Sequence, residues 1–247
     1  MEPLKKYRVI NRPLVEMLTR QVGSADRPSV EYETGATAGL FGSTLRFTRK
    51  SSRRAGEPDY GDPAVVENLV AELRDRGQLR IDRPYDSRSL RDTEWYVYER
   101  VEARPFAIAV PETLKRLGAP NAITVWLSGP LAAPAVHTGR WASIYAYLYI
   151  VEEISDYTVG DRLHGISGIS ALNVLLDEVI QQAESVSQYY VRTPPEDDLR
   201  RAGAIPGTTR WIETVYKVAY IGSRWPTREG GGDIFKELLA YPLYIAD

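Results

Sequence analysis

The sequence predicts an α+β protein, with mixed or antiparallel sheets flanked by two main helices. Three observations carry that expectation. Residues 5–83 run strand, helix, strand, strand, helix, strand, which is the order of a ferredoxin-like βαββαβ unit. Residues 84–247 hold several aromatic and β-branched runs and one long amphipathic helix. Sixteen tyrosines and five tryptophans in 247 residues favour strands and polar-faced binding surfaces. A length of 247 residues suits one large domain or two small ones, so the parts 1–83 and 84–247 are expected as two halves or as one packed unit.

The elements follow in order. Lys6 to Ile10 reads as a first strand. Asn11 can cap a helix with Pro13 in its first turn, and Leu14, Met17, Leu18 and Val22 make an apolar stripe that Gly23 stops. Ser29 to Glu33 and Thr44 to Thr48 read as strands. Asp62 followed by Pro63 is a helix start, and Val66, Leu69, Val70 and Leu73 form that helix's buried face up to Gly77. Leu79 to Ile81 is a fourth strand.

Beyond a polar connection at Pro84 to Asp92, Glu94 to Val101 is strongly β, Arg104-Pro105 breaks it, and Phe106 to Val110 resumes. Pro111 to Leu117 suggests a short helix, Ala122 to Leu127 a buried strand, and Trp141 to Val151 a strand with a helix as the alternative. Ser170 to Val186 has the long helix's stripe, and Glu196 to Ala202 reads as a short charged helix. Trp211 to Ile221 and Leu238 to Ile245 read as a hairpin around Gly230-Gly231-Gly232, with Pro242 suggesting an edge position.

Composition narrows the function classes. A net charge of -2 argues against a general nucleic-acid binder, though not against a local basic patch. The absence of cysteine removes disulfides, thiolate catalysis and cysteine-ligated metal sites. No apolar stretch of signal-peptide length opens the chain, and the longest apolar run, Ile144 to Val151, is too short to span a bilayer. A cytoplasmic protein with no membrane association and no cofactor is expected.

The densest functional signal lies between Thr34 and Asp62. Gly39 and Gly42 lead into a strand-like segment with Arg46, followed by Arg49, Lys50, Arg53 and Arg54. Glycines let backbone amides approach a ligand, and clustered arginines offer forked donors, so this stretch is a candidate anion site for a nucleotide, nucleic acid or acidic partner. A solvated basic hairpin loop is the plain structural alternative. The glycines make neither a phosphate-binding loop ending in Gly-Lys-Ser/Thr nor a dinucleotide fingerprint. Gly165-Ile166-Ser167-Gly168 is not a hydrolase elbow.

Only two histidines exist, so a metal site would need carboxylates. Glu152, Glu153, Asp156 and Asp161 gather with His164 after the aromatic strand. Oxygen ligands of this kind suit magnesium or manganese, and Glu152, Glu153 and Asp156 are the candidate catalytic groups of a metal-dependent, nuclease-like hydrolase. An exposed acidic loop is the alternative. Aromatic residues interleave with charge at Trp95, Tyr96 and Tyr98 beside Glu94, Glu99 and Arg100, and again at Trp211, Tyr216 and Tyr220 beside Arg210 and Lys217. On strands, one face of either set can stack a base, or else the tyrosines belong to the core.

Four fragments carry a resemblance: Tyr7-Arg8-Val9-Ile10 with its helix, Gly39 to Phe47, the helix end Glu72 to Leu79, and Tyr241-Pro242-Leu243-Tyr244-Ile245. They resemble uncharacterised bacterial α+β families, many actinobacterial, some beside defence genes. None is a catalytic signature. The resemblance implies a sensing or partner-binding role in a bacterial conflict system. The expected function is a non-enzymatic binding or sensor module for an anionic ligand or protein partner. The hydrolase and a structural assembly subunit are the alternatives. Long aromatic strands further suggest a homo-oligomer or a partner paired on an exposed edge.

Overall fold

A computed structural model describes residues 5–24, 59–81, 83–84, 96–109, 122–132, 144–152, 194–224 and 234–247. In chain order the elements are β1 (Tyr7–Ile10), α1 (Arg12–Ser24), α2 (Pro63–Asp75), β2 (Leu79–Arg80), β3 (Tyr96–Ala109), β4 (Ala122–Ala132), β5 (Ile144–Val151), α3 (Pro195–Arg201), β6 (Ile205–Pro206), β7 (Arg210–Arg224) and β8 (Ile234–Ala246). The α+β class is as expected. The strands expected at 29–33 and 44–48 and the helices expected at 111–117 and 170–186 lie outside the described residues.

The centre is a closed five-stranded barrel. β3, β4 and β5 form an antiparallel meander, and β7 and β8 form an antiparallel hairpin. β8 runs parallel to β5 and β7 antiparallel to β3, so the ring closes as β3-β4-β5-β8-β7. Three short strands extend it: β1 on the end of β8, β2 parallel to the start of β3, and β6 beside the second half of β3. The ferredoxin-like order is not shown, because β1 and β2 pair with β8 and β3 and not with each other.

Helix ends follow the local chemistry. Asn11 Oδ1 accepts from the Leu14 N–H at 3.2 Å, and Asp62 Oδ1 from the Ala64 N–H at 2.9 Å, with Pro63 at the first helical position. Gly77, at φ +69°, ends α2 in a Schellman motif: the Gln78 N–H donates to Leu73 O and the Gly77 N–H to Arg74 O. The buried face of α2 is Val66, Leu69, Val70 and Leu73, as its spacing predicts. On α1 the stripe is centred one position differently. Val15 is 0% exposed and Met17 is 37% exposed, because Val15 lies nearer the middle of the arc spanned by Leu14, Leu18 and Val22.

Two cores result. α1 and α2 cover the outside of β7, β8 and the start of β3, with Leu14, Val15, Leu18, Leu69 and Leu73 packed among Tyr96, Val215, Leu243 and Tyr244. The barrel lumen is filled by Val97, Val101, Trp126, Leu148, Ile150, Ile212, Tyr216 and Leu238. β3 serves the lumen only along its first half. Val97, Glu99, Val101 and Ala103 point inward and are buried. Further along, the inward Ala107 and Ala109 are exposed, whereas the outward Phe106 and Ile108 are buried.

Two expectations are corrected here. Arg104-Pro105 does not break β3. Pro105 O accepts from the Gly207 N–H on the side where β6 and β7 slip by one residue relative to β3, so the missing proline N–H faces an already irregular ladder. Pro242 is not on an edge strand, because β8 pairs on both sides. The proline sits at a register shift against β7, after pairing with β5 ends at Ala240 and before pairing with β1 begins at Tyr244. β8 pairs with β7 on one side and with β5 and β1 on the other, while β7 pairs with β8 along its length and with β3 from Arg210 to Lys217.

Candidate functional site

The residues singled out from the sequence divide by position. Gly39, Gly42, Arg46, Arg49, Lys50, Arg53 and Arg54 lie outside the described residues, as do Glu153, Asp156, Asp161 and His164. Glu152 is described. It follows the last residue of β5, and its carboxylate accepts from the Trp126 indole N–H. Trp126 plugs one end of the lumen, and the Arg210 guanidinium stacks 5.8 Å from its ring centroid. Among the described residues no group of three or more His, Asp or Glu side chains could hold a metal ion.

Among the described members of the two aromatic sets, three are structural. Tyr96 and Tyr216 belong to the two cores, and Tyr98 is half-buried against the helical one. Trp211 differs: it is 67% exposed on the outer wall of β7, opposite Glu102 of β3.

Inside the barrel lies a polar network that the sequence-based candidates missed. Arg83, with its side chain 1% exposed, donates through Nε to Glu99 Oε1 at 3.0 Å and through an NH2 nitrogen to Glu99 Oε2 at 3.2 Å. Nη1 donates to Ala146 O at 2.6 Å on β5, and Nη2, the nitrogen that reaches Glu99 Oε2, also donates to Ser128 Oγ at 3.3 Å on β4. The Tyr216 hydroxyl donates to Glu99 Oε2 at 2.9 Å from β7. Burial, followed by the charge of Glu99, holds that hydroxyl protonated well above its usual range. One guanidinium thus links three barrel strands. A signal was available: Glu99 occupies the inward phase of β3 between Val97 and Val101, and a charge in a buried phase requires a partner.

A second ionisable cluster gathers residues from five segments at the rim of the helical core. Lys5 Nζ lies 2.8 Å from Glu67 of α2 and 2.5 Å from Glu213 of β7, and over the rings of Tyr7 and Tyr244. Tyr7 donates to Glu67, and Tyr244 donates to Glu213 at 2.8 Å. Burial alone would lower Lys5, but its two carboxylate partners raise it above its ordinary value. Burial likewise pushes Glu67 and Glu213 up, and the bonds from Lys5 and the tyrosines override it, so both carboxyls are lowered. Tyr7, Tyr98 and Tyr244 are raised, first by burial and then by the neighbouring carboxylates. Every one of these groups moves away from neutral pH, the direction opposite to that needed for general acid–base work. The arrangement is a clamp joining the N-terminal segment, α2 and the barrel.

The clamp has a pH signature. A lowered carboxyl stabilises the fold fully above its unfolded value, near 4.5, and loses that stabilisation as pH falls through the folded value. Raised Lys5 acts oppositely, contributing below its ordinary 10.5 and losing it only in strong base. Urea unfolding of Glu213→Gln is therefore expected to show lower stability than wild type at about pH 7 and a smaller further loss at about pH 3. Equal acid losses in the two proteins would remove the clamp from this account.

No helix among the described residues is long and apolar enough to cross a membrane. The chain matches no protein-family model, no curated protein and no solved structure.

Proposed function

We propose that this protein is a non-catalytic binding or sensor module that takes an anionic ligand on the outside of its barrel. The observation that supports this best is the barrel itself. Its lumen is filled by side chains and by a satisfied ion pair, which leaves recognition to its outer wall and loops. Its connectivity is that of the five-stranded Greek-key barrel used to bind oligonucleotides and oligosaccharides: a three-stranded meander, a parallel pair between the third and last strands, and a closing pair between the first and fourth. This support is at the level of fold. The basic stretch from Arg46 to Arg54 supplies the anion preference. The resemblance to bacterial families, some beside defence genes, supports a sensing or partner-binding role in a bacterial conflict system.

The test is fluorescence anisotropy with labelled single-stranded oligonucleotides and a panel of smaller anions, across a salt series. Binding is expected to weaken with salt, and Arg49→Ala with Arg53→Ala and Arg54→Ala is expected to weaken it by about 10-fold or more. Gly39→Ala or Gly42→Ala should weaken it without a change in charge. No binding of any anionic probe at low salt would overturn the proposal.

A further inference from the structure

We infer that the wall formed by β3 and β7 carries a nucleotide-unit site, in which Trp211 stacks a base and Arg100 engages the adjoining phosphate of a single strand. This rests on the proposed binding role and deepens it. In barrels of this connectivity the ligand usually crosses the face of the second and third strands. Here those strands are β4 and β5, and that face is closed: Val125, Leu127, Tyr149 and Val151 point outward and are buried. The opposite outer region, on β7, β8 and the start of β3, is closed by α1 and α2. Between them, the middle of β3 and the start of β7 turn Arg100, Glu102 and Trp211 to solvent.

The register sets the geometry. Trp211 pairs with Glu102, and Glu213 pairs with Arg100, so Arg100 and Arg104 flank the indole diagonally on the same face. Diagonal neighbours of this kind lie about 7–8 Å apart, within reach of long side chains. Arg104 is held in place by Glu196 at 2.8 Å and Thr209 at 2.8 Å, whereas Arg100 is exposed. An exposed indole on a rigid strand offers a ring face without a large ordering cost, and a guanidinium beside it adds a forked anion donor. Two carboxylates share the surface. Glu213 is neutralised by Lys5, and Glu102, opposite the indole, is the one that opposes a phosphate.

The test uses the full chain and a labelled twelve-nucleotide single strand, as RNA and as DNA, with mononucleotides as competitors. Trp211→Ala should weaken binding by about 5- to 100-fold, and Trp211→Phe should retain most of it. Arg100→Ala should reduce the slope of log affinity against log salt by about one. Glu102→Gln should tighten binding. Competition by mononucleotides at the strength of the full strand would assign the site to a free nucleotide, and weak competition to a strand. Wild-type affinity in folded Trp211→Ala, with wild type binding the strand, would overturn this site and leave the binding module standing. Failure of wild type to bind any nucleotide probe would overturn the site outright, and the smaller anions would then decide the broader proposal.

Discussion

Arg83→Met is expected to destabilise the protein by about 3–5 kcal/mol, because it leaves the Glu99 carboxylate inside the barrel without its cation. The register shows why a single side chain matters so much. On the edge of β3 facing β4, β2 pairs at Tyr96 and Val97 and β4 pairs from Ala103 onward. Arg83 spans the interval between them, with donors to β3, β4 and β5. Arg83→Lys keeps the charge but replaces a fork by a point donor that cannot serve three strands, so an intermediate loss is expected. Arg83→Met with Glu99→Met should recover much of the loss, because removing both members of a buried pair is far less costly than removing one. Urea midpoints with unchanged m-values would measure all three. A loss below about 1 kcal/mol in Arg83→Met would show that the pair is not sealed from water.

How much of this was legible in the sequence depended on whether the cause was local. The caps at Asn11 and Asp62, the stop at Gly77 and the apolar face of α2 are set by residues a few positions apart, and they stand where the spacing puts them. β5, β7 and β8 were visible as apolar and aromatic runs. Their closure into a barrel was not, because the pairing of β5 with β8 and of β3 with β7 joins residues about a hundred positions apart and leaves no local pattern. Pro242 and Pro105 misled for the same reason: each sits at a register slip that exists only once distant strands have paired. Of the site proposed on the outer wall, the Trp211 and Arg100 residue types were legible. Their diagonal placement was not, since it depends on the register of β3 against β7. The Lys5 clamp was invisible, because its members are spread over five segments far apart in the chain.

Phe106→Ala is expected to cost about 3–5 kcal/mol, and Ala107→Thr, one position on, less than about 0.5 kcal/mol. The pair tests the change of buried side along β3. Pro105 is paired with Trp126, whose ring plugs the lumen, so Phe106 points outward, and it is 0% exposed. Its outward neighbour Arg104 is tied to Glu196 of α3, and Leu199 of the same helix is fully buried. The outer side of this half of β3 is therefore a core face, while Ala107, in the inward phase, is exposed. Had β3 kept one buried side throughout, the order of the two effects would invert, since Ala107 shares the inward phase of Val97, Val101 and Ala103. Equilibrium unfolding of the two variants distinguishes these cases. A small effect of Phe106→Ala together with a large one of Ala107→Thr would mean that the lumen, and not the outer layer, continues to the end of the strand.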